Sequence, residues 1–155
     1  MANYYCKTRT NYFSVTDLEK FKQIMASCVG EEEIVIIDEE QKDGSIKYGF
    51  YCEGSIEGLP EKEDGNDNTE DFDEYDCDYN YDAFCEALQQ ILPDDDVIII
   101  TEVGSEKMRY LTGFCSVITR NEHKCINLTD EAVKLARILL NNPAFTTQMD
   151  YWAEI

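Results

Sequence analysis

Apolar residues recur along this chain with two distinct periods. Leu18, Phe21, Met25 and Cys28 follow i, i+3, i+7, i+10, which is one face of a helix. The same spacing returns 63 residues on, at Tyr81, Phe84, Leu88 and Ile91. At the same offset, Glu31-Glu32-Glu33-Ile34-Val35-Ile36-Ile37 is echoed by Asp94-Asp95-Asp96-Val97-Ile98-Ile99-Ile100. Gly49-Phe50 matches Gly113-Phe114 with one residue of slip. Taken in order, these matches predict two copies of a β-α-β-β unit.

In the first copy, residues 10–15 alternate as a strand and Thr16 opens a helix, with Glu19 at capping-box spacing. The helix is expected to reach about Val29 and stop at Gly30. Strands follow at 33–38 and 45–53, joined by a turn at Asp43-Gly44. The second copy predicts a helix over 81–91, ended before Pro93, and strands over 97–103 and 108–119 with Gly104-Ser105 between them. A strand at 124–128 leads into a third helix through about Leu140, terminated by Asn141-Asn142-Pro143. Asn127-Leu128-Thr129-Asp130 resembles Ser14-Val15-Thr16-Asp17, as if a truncated third copy began there. Phe145, Tyr151 and Trp152 suggest that the tail docks on the body. The expected class is α+β, a mainly antiparallel sheet with helices on one face. Residues 1–155 read as one domain, divided into a first copy (1–60), an acidic loop (61–72), a second copy (73–120) and a C-terminal strand, helix and aromatic tail (121–155).

Charge changes this picture. Against 33 acids stand 13 Lys and Arg, a formal net charge of −20 over 155 residues. Such a chain is repelled by bare nucleic acid and by anionic membrane surfaces, and suits a basic partner or a cation. With 43% hydrophobic and 12% aromatic residues it can still fill a core. The charge is also unevenly placed: residues 61–82 hold eleven acids and one lysine, −10 in all. In Glu74-Tyr75-Asp76-Cys77-Asp78-Tyr79-Asn80-Tyr81-Asp82 the even positions are acids or Asn and the odd ones Tyr or Cys. That period of two predicts a strand with one wet and one packed face. Same-face carboxylates on it would lie about 6.6–6.8 Å apart, a spacing comparable to successive phosphates of a nucleic-acid backbone. The partner-binding candidates are therefore Glu70, Asp71, Asp73, Glu74, Asp76, Asp78 and Asp82, with Tyr75 and Tyr79 as amphipathic contacts. The triplets Glu31, Glu32, Glu33 and Asp94, Asp95, Asp96 join them, because each follows a helix C-terminus, where the dipole disfavours acids.

Other chemistry finds little footing. Asp76-x-Asp78-x-Asn80 opens like an EF-hand loop, but Tyr81 stands where Gly is needed and Ala87 where the bidentate Glu belongs. Seven cysteines without a C-x-x-C pair, and a single histidine, His123, in an expected surface turn, do not form a zinc set. Neither a nucleophile elbow, a P-loop nor an H-E-x-x-H motif is present. No catalytic residue, metal ligand or cofactor is expected. The N-terminus lacks the apolar core of a signal peptide and no apolar run would span a bilayer, so a reducing cytoplasm is the expected setting.

With the acid-tyrosine run 74–82 and the charge on the page, the chain resembles small anti-defence proteins of phages and mobile elements, the DNA-mimic anti-CRISPR and anti-restriction type. The resemblance is one of overall character. It implies an inhibitor that occupies a basic nucleic-acid-binding groove, foremost that of a Cas nuclease. Two alternatives stand beside it: an immunity protein neutralising a basic nuclease toxin, and, in another class, a divalent-cation-binding or enzymatic domain.

Overall fold

The computed structural model describes residues 4–61, 78–106 and 110–147. Within them run β1 (Tyr5–Thr10), α1 (Leu18–Ser27), β2 (Val29–Gly30), β3 (Ile34–Glu40), β4 (Ile46–Cys52) and β5 (Ile56–Pro60). They are followed by β6 (Tyr79–Asn80), α2 (Tyr81–Gln89), β7 (Ile98–Glu106), β8 (Tyr110–Ile118), β9 (His123–Asn127) and α3 (Leu128–Leu140). Six strands form one antiparallel sheet in the order β3-β4-β1-β7-β8-β9, and β2-β5-β6 form a second, small one. The class is α+β with a mainly antiparallel sheet and three helices.

The helical spacing read from the sequence lies in the core. Phe21, Met25, Phe84, Leu88 and Ile91 are buried, and Leu18, Cys28 and Tyr81 pack at the margin. Four phenylalanines from different segments link the layers. Phe13 meets Phe21 edge-on at 5.7 Å and Phe50 at 6.3 Å, and Phe50 meets Phe84 at 6.0 Å. Truncating any of these fully buried rings to Ala removes packing worth about 3–5 kcal/mol.

Several element boundaries differ from the sequence reading. The first strand is Tyr5–Thr10, not 10–15. Its inward positions are Cys6, Thr8 and Thr10, too small and polar to give an apolar alternation. It stops at Thr10 because the Asn11 side chain takes over the ladder to β7, donating to Val97 O at 3.0 Å and accepting from Ile99 N at 2.7 Å. Phe13, inside the predicted strand, makes only a single bridge with Tyr48. Helix α1 is capped by Asp17, which accepts from Lys20 N at 3.1 Å. Thr16 instead donates its backbone N–H to Ile91 O at 2.8 Å, joining the start of α1 to the end of α2. That helix ends at Ser27, with Cys28 extended as its C-cap, and Gly30 belongs to β2.

Gly104 and Ser105 are strand residues of β7 rather than a turn. A Cβ on Gly104 would fall against Cys6, the Tyr5 carbonyl and the Tyr4 hydroxyl, so the glycine serves a close approach of β1 to β7. His123, expected in a turn, opens β9 opposite Ile118; the turn lies before it, where Thr119 N donates to Glu122 O at 2.8 Å. Strand β5 was not anticipated. Asn127 caps α3, and Asn141 ends it in the left-handed region at φ 53°. Of the tail aromatics, Phe145 is half-buried, its carbonyl held by Arg137 Nε at 2.9 Å; Tyr151 and Trp152 lie outside the described residues.

Candidate partner-binding surface

The acidic segment leaves and rejoins the body at one point. Leu59 pairs with Asn80 and Pro60 with Tyr79, antiparallel. Glu61 N donates to Asp78 O at 3.0 Å, and the Asn80 amide donates to Glu61 Oε1 at 3.1 Å. Residues 61 and 78 are thereby held side by side. Gly58, at φ +117°, lets this pairing close, since a Cβ there would lie 2.6 Å from the Asn80 carbonyl oxygen. Asn80 also accepts from Ala83 N at 2.8 Å and so caps α2. The next residue, Tyr81, donates to or accepts from Ser116 Oγ at 2.8 Å, and burial pushes its phenol up, well out of the neutral range.

The strand expected through Asp82 ends earlier. Tyr79 and Asn80 are extended, whereas Tyr81 and Asp82 form the first turn of α2. Once Asn80 caps a helix the chain cannot continue its two-residue period, and Asp82 takes the favourable first-turn position for an acid. Asp78, Tyr79 and Asp82 are exposed beside this base. Glu70, Asp71, Asp73, Glu74, Tyr75 and Asp76, with the greater part of the predicted acid-tyrosine strand, lie outside the described residues.

The two acid triplets occupy opposite ends of the six-stranded sheet. Glu32 O accepts from Cys52 Sγ at 3.4 Å at one end of β4, and Asp96 lies 3.8 Å from Lys47 Nζ at the other. Lys47 and Cys52 are five residues apart, roughly 17 Å along a strand. Glu31, though exposed, is engaged within the chain: it accepts from Ser55 N at 2.8 Å and Ser55 Oγ at 2.7 Å, and these bonds hold its carboxyl below the usual range. Asp96 is likewise engaged. Burial raises its carboxyl, but hydrogen bonds from Ser14 N (2.7 Å) and Val97 N (2.8 Å) outweigh that and hold it low. Glu32, Glu33, Asp94 and Asp95 remain at the surface, with Arg120 3.6 Å from Asp94.

One polar cluster escaped the sequence reading. Glu102, half-buried on β7, accepts from the Tyr4 hydroxyl at 3.0 Å, which also meets Thr112 Oγ1 at 2.7 Å. Burial pushes the Glu102 carboxyl up, with Glu31 and Glu57 adding to the effect, and burial pushes the Cys6 thiol beside it up to about 12. A lone charge inside the run 97–103 was the available signal. A thiol held that high stays protonated at neutral pH. Cys28 and Cys85 are pushed equally high, to about 12, again by burial, and all six described cysteines are free. Among the described residues no group of three or more His, Cys, Asp or Glu has the arrangement to hold a metal, and no helix is long and apolar enough to cross a membrane. No family model, curated protein or solved structure matches this chain.

Proposed function

We propose that this protein is a stoichiometric inhibitor whose acidic segment 61–82 imitates a phosphate backbone and occupies the basic groove of a nucleic-acid-binding nuclease. The observation that carries this reading is the closed base of that segment. Residues 61 and 78 are hydrogen-bonded to each other and built onto α2 through Asn80. Eight of the chain's acids lie between them, at 63, 64, 67, 70, 71, 73, 74 and 76. Anchoring both ends reduces the ordering cost that a free acidic tail would incur on binding. Exposed Asp78, Asp82 and Tyr79 extend the surface onto the body, while Glu31 and Asp96 serve the fold. The duplex-binding or PAM-reading groove of a Cas nuclease is the foremost target, reached in the cytoplasm by electrostatic steering.

The scaffold reads as a duplicated β-α-β-β unit. Helix α1 starts at Leu18 and α2 at Tyr81, β3 at Ile34 and β7 at Ile98, β4 at Ile46 and β8 at Tyr110, an offset of 63 to 64 residues for the α-β-β part; the strands ahead of the helices, β1 from Tyr5 and β6 from Tyr79, do not share it. The acidic segment then stands where the second unit joins the first.

The test is a double charge reversal, Asp76→Lys with Asp78→Lys. Capture from host lysate at low salt, with elution by a salt gradient, identifies the target. The variant is expected to lose inhibition of its DNA cleavage by at least about a hundredfold, with an unchanged circular dichroism spectrum. Full inhibition by that variant sinks the proposal.

A further inference from the structure

Among the described residues, the face of the six-stranded sheet turned away from α1 and α2 is covered only along its β8–β9 edge, by α3. Along β1 the inward Cys6, Thr8 and Thr10 alternate with Tyr5, Lys7 and Arg9 on this open side. Two adjoining hollows of about 520 and 550 Å³ share Lys7 and Val103. The first is completed by Arg9, Ile37, Tyr51 and Thr101, the second by Tyr5, Leu111 and Leu128. Leu128 is also the first residue of α3 and lies over Gly113. From it Ala132, Leu135 and Leu139 follow at i+4, i+7 and i+11, one stripe of the helix. Leu135, Ile138 and Leu139 are 55%, 73% and 77% exposed, and Val103 and Leu111 are 58% and 62% exposed. No α3 side chain is buried.

A hollow walled by Lys7, Arg9 and Glu53 as well as by Tyr51, Val103 and Leu111, and an apolar ridge, thus share one surface, which allows it to pair with itself under a two-fold axis. We infer that two copies of this chain associate through this face, each laying its α3 into the hollow of the other. The area is sufficient. At roughly 100 Å² apiece, the exposed apolar side chains come to about 800 Å² per copy, the share of a standard stable interface and more than monomers commonly leave open.

Charge selects this face for self-association. On a chain of net charge −20, the sheet part of the surface carries Lys7, Arg9, Lys47 and Lys124 against Glu39, Glu53 and the Asp96 that pairs with Lys47. Two copies therefore meet where repulsion is least. The β5–β6 base packs with α2 on the other side of the sheet, so the dimer presents two such bases away from its interface.

Sedimentation equilibrium of the full chain at micromolar concentration tests this. The expected mass is twice 17.9 kDa, and raising the salt should tighten the dimer by screening the residual repulsion, opposite in sign to binding of a basic target. Leu135→Gln with Leu139→Gln is expected to raise the dimer Kd at least about a hundredfold with unchanged circular dichroism. Glutamine adds no charge, so dissociation could not be ascribed to added repulsion. A monomeric parent protein, or a dimer indifferent to the two substitutions, overturns the inference. So does a monomer in which these substitutions shift the emission of Trp152, the single tryptophan, since the face would then belong to the chain's own C-terminal residues.

Discussion

Gly58 and Gly44 both have positive φ, +117° and +89°, yet their surroundings differ. A Cβ at Gly58 meets the backbone of Asn80 and Tyr81 at 2.6–2.8 Å, whereas at Gly44 nothing lies within 4 Å. Gly58→Ala should therefore cost about 2–4 kcal/mol, combining backbone strain with a clash that rigid backbone cannot relieve. Gly44→Ala should cost only about 1 kcal/mol, from conformation alone. Urea midpoints of the two variants check the difference, and equal midpoints would contradict the closed β5–β6 base. Of the two, only the Gly44 turn was legible in the sequence. Asp43-Gly44 announces its turn by local chemistry, while the need at Gly58 arises from Asn80, 22 positions away.

At the scale of elements, α3 is the least buried of the described helices, with only Thr129, Val133, Ala136 and Arg137 half-buried. Asn127 Oδ1 accepts from Thr129 N at 2.9 Å and Asp130 N at 3.2 Å, Asp130 and Glu131 occupy the first turn, and Arg137 the last. With no buried side chain to hold it, the cap matters more than elsewhere. Asn127→Ala should weaken α3 by about 1 kcal/mol, seen as faster hydrogen exchange over 128–133 with the core amides unchanged. All three helices were readable because period and caps are local. Strand β1 was not, because its buried face is Cys6, Thr8 and Thr10, and its identity comes from the neighbours β4 and β7.

For the whole molecule, charge and pH act together. Glu31 and Asp96 are held below their ordinary values of 4.5 and 3.8, so the unfolded chain takes up those protons first and stability falls as pH drops through that range. Glu102, raised by burial, has the opposite sign: protonation favours the folded state. The repulsion of a −20 chain is also relieved as its carboxylates protonate. The melting temperature is therefore expected to rise as pH falls from 7 towards 5 and to decline below about 4. Glu31→Gln with Asp96→Asn should remove much of that decline.

By itself the sequence determined the three helices, the strands β3, β4, β7, β8 and β9, and the concentration of acids in 61–82, since each depends on neighbours within one or two turns of chain. The tertiary structure decided which acids serve the fold. Glu31 and Asp96 look like their triplet companions until Ser55, Ser14 and Val97 are brought beside them. It also decided that residues 61 and 78 share one base and that Lys7, Tyr51, Val103 and Leu128 share one open face. Those adjacencies come from strand pairing across tens of residues, which no local period encodes.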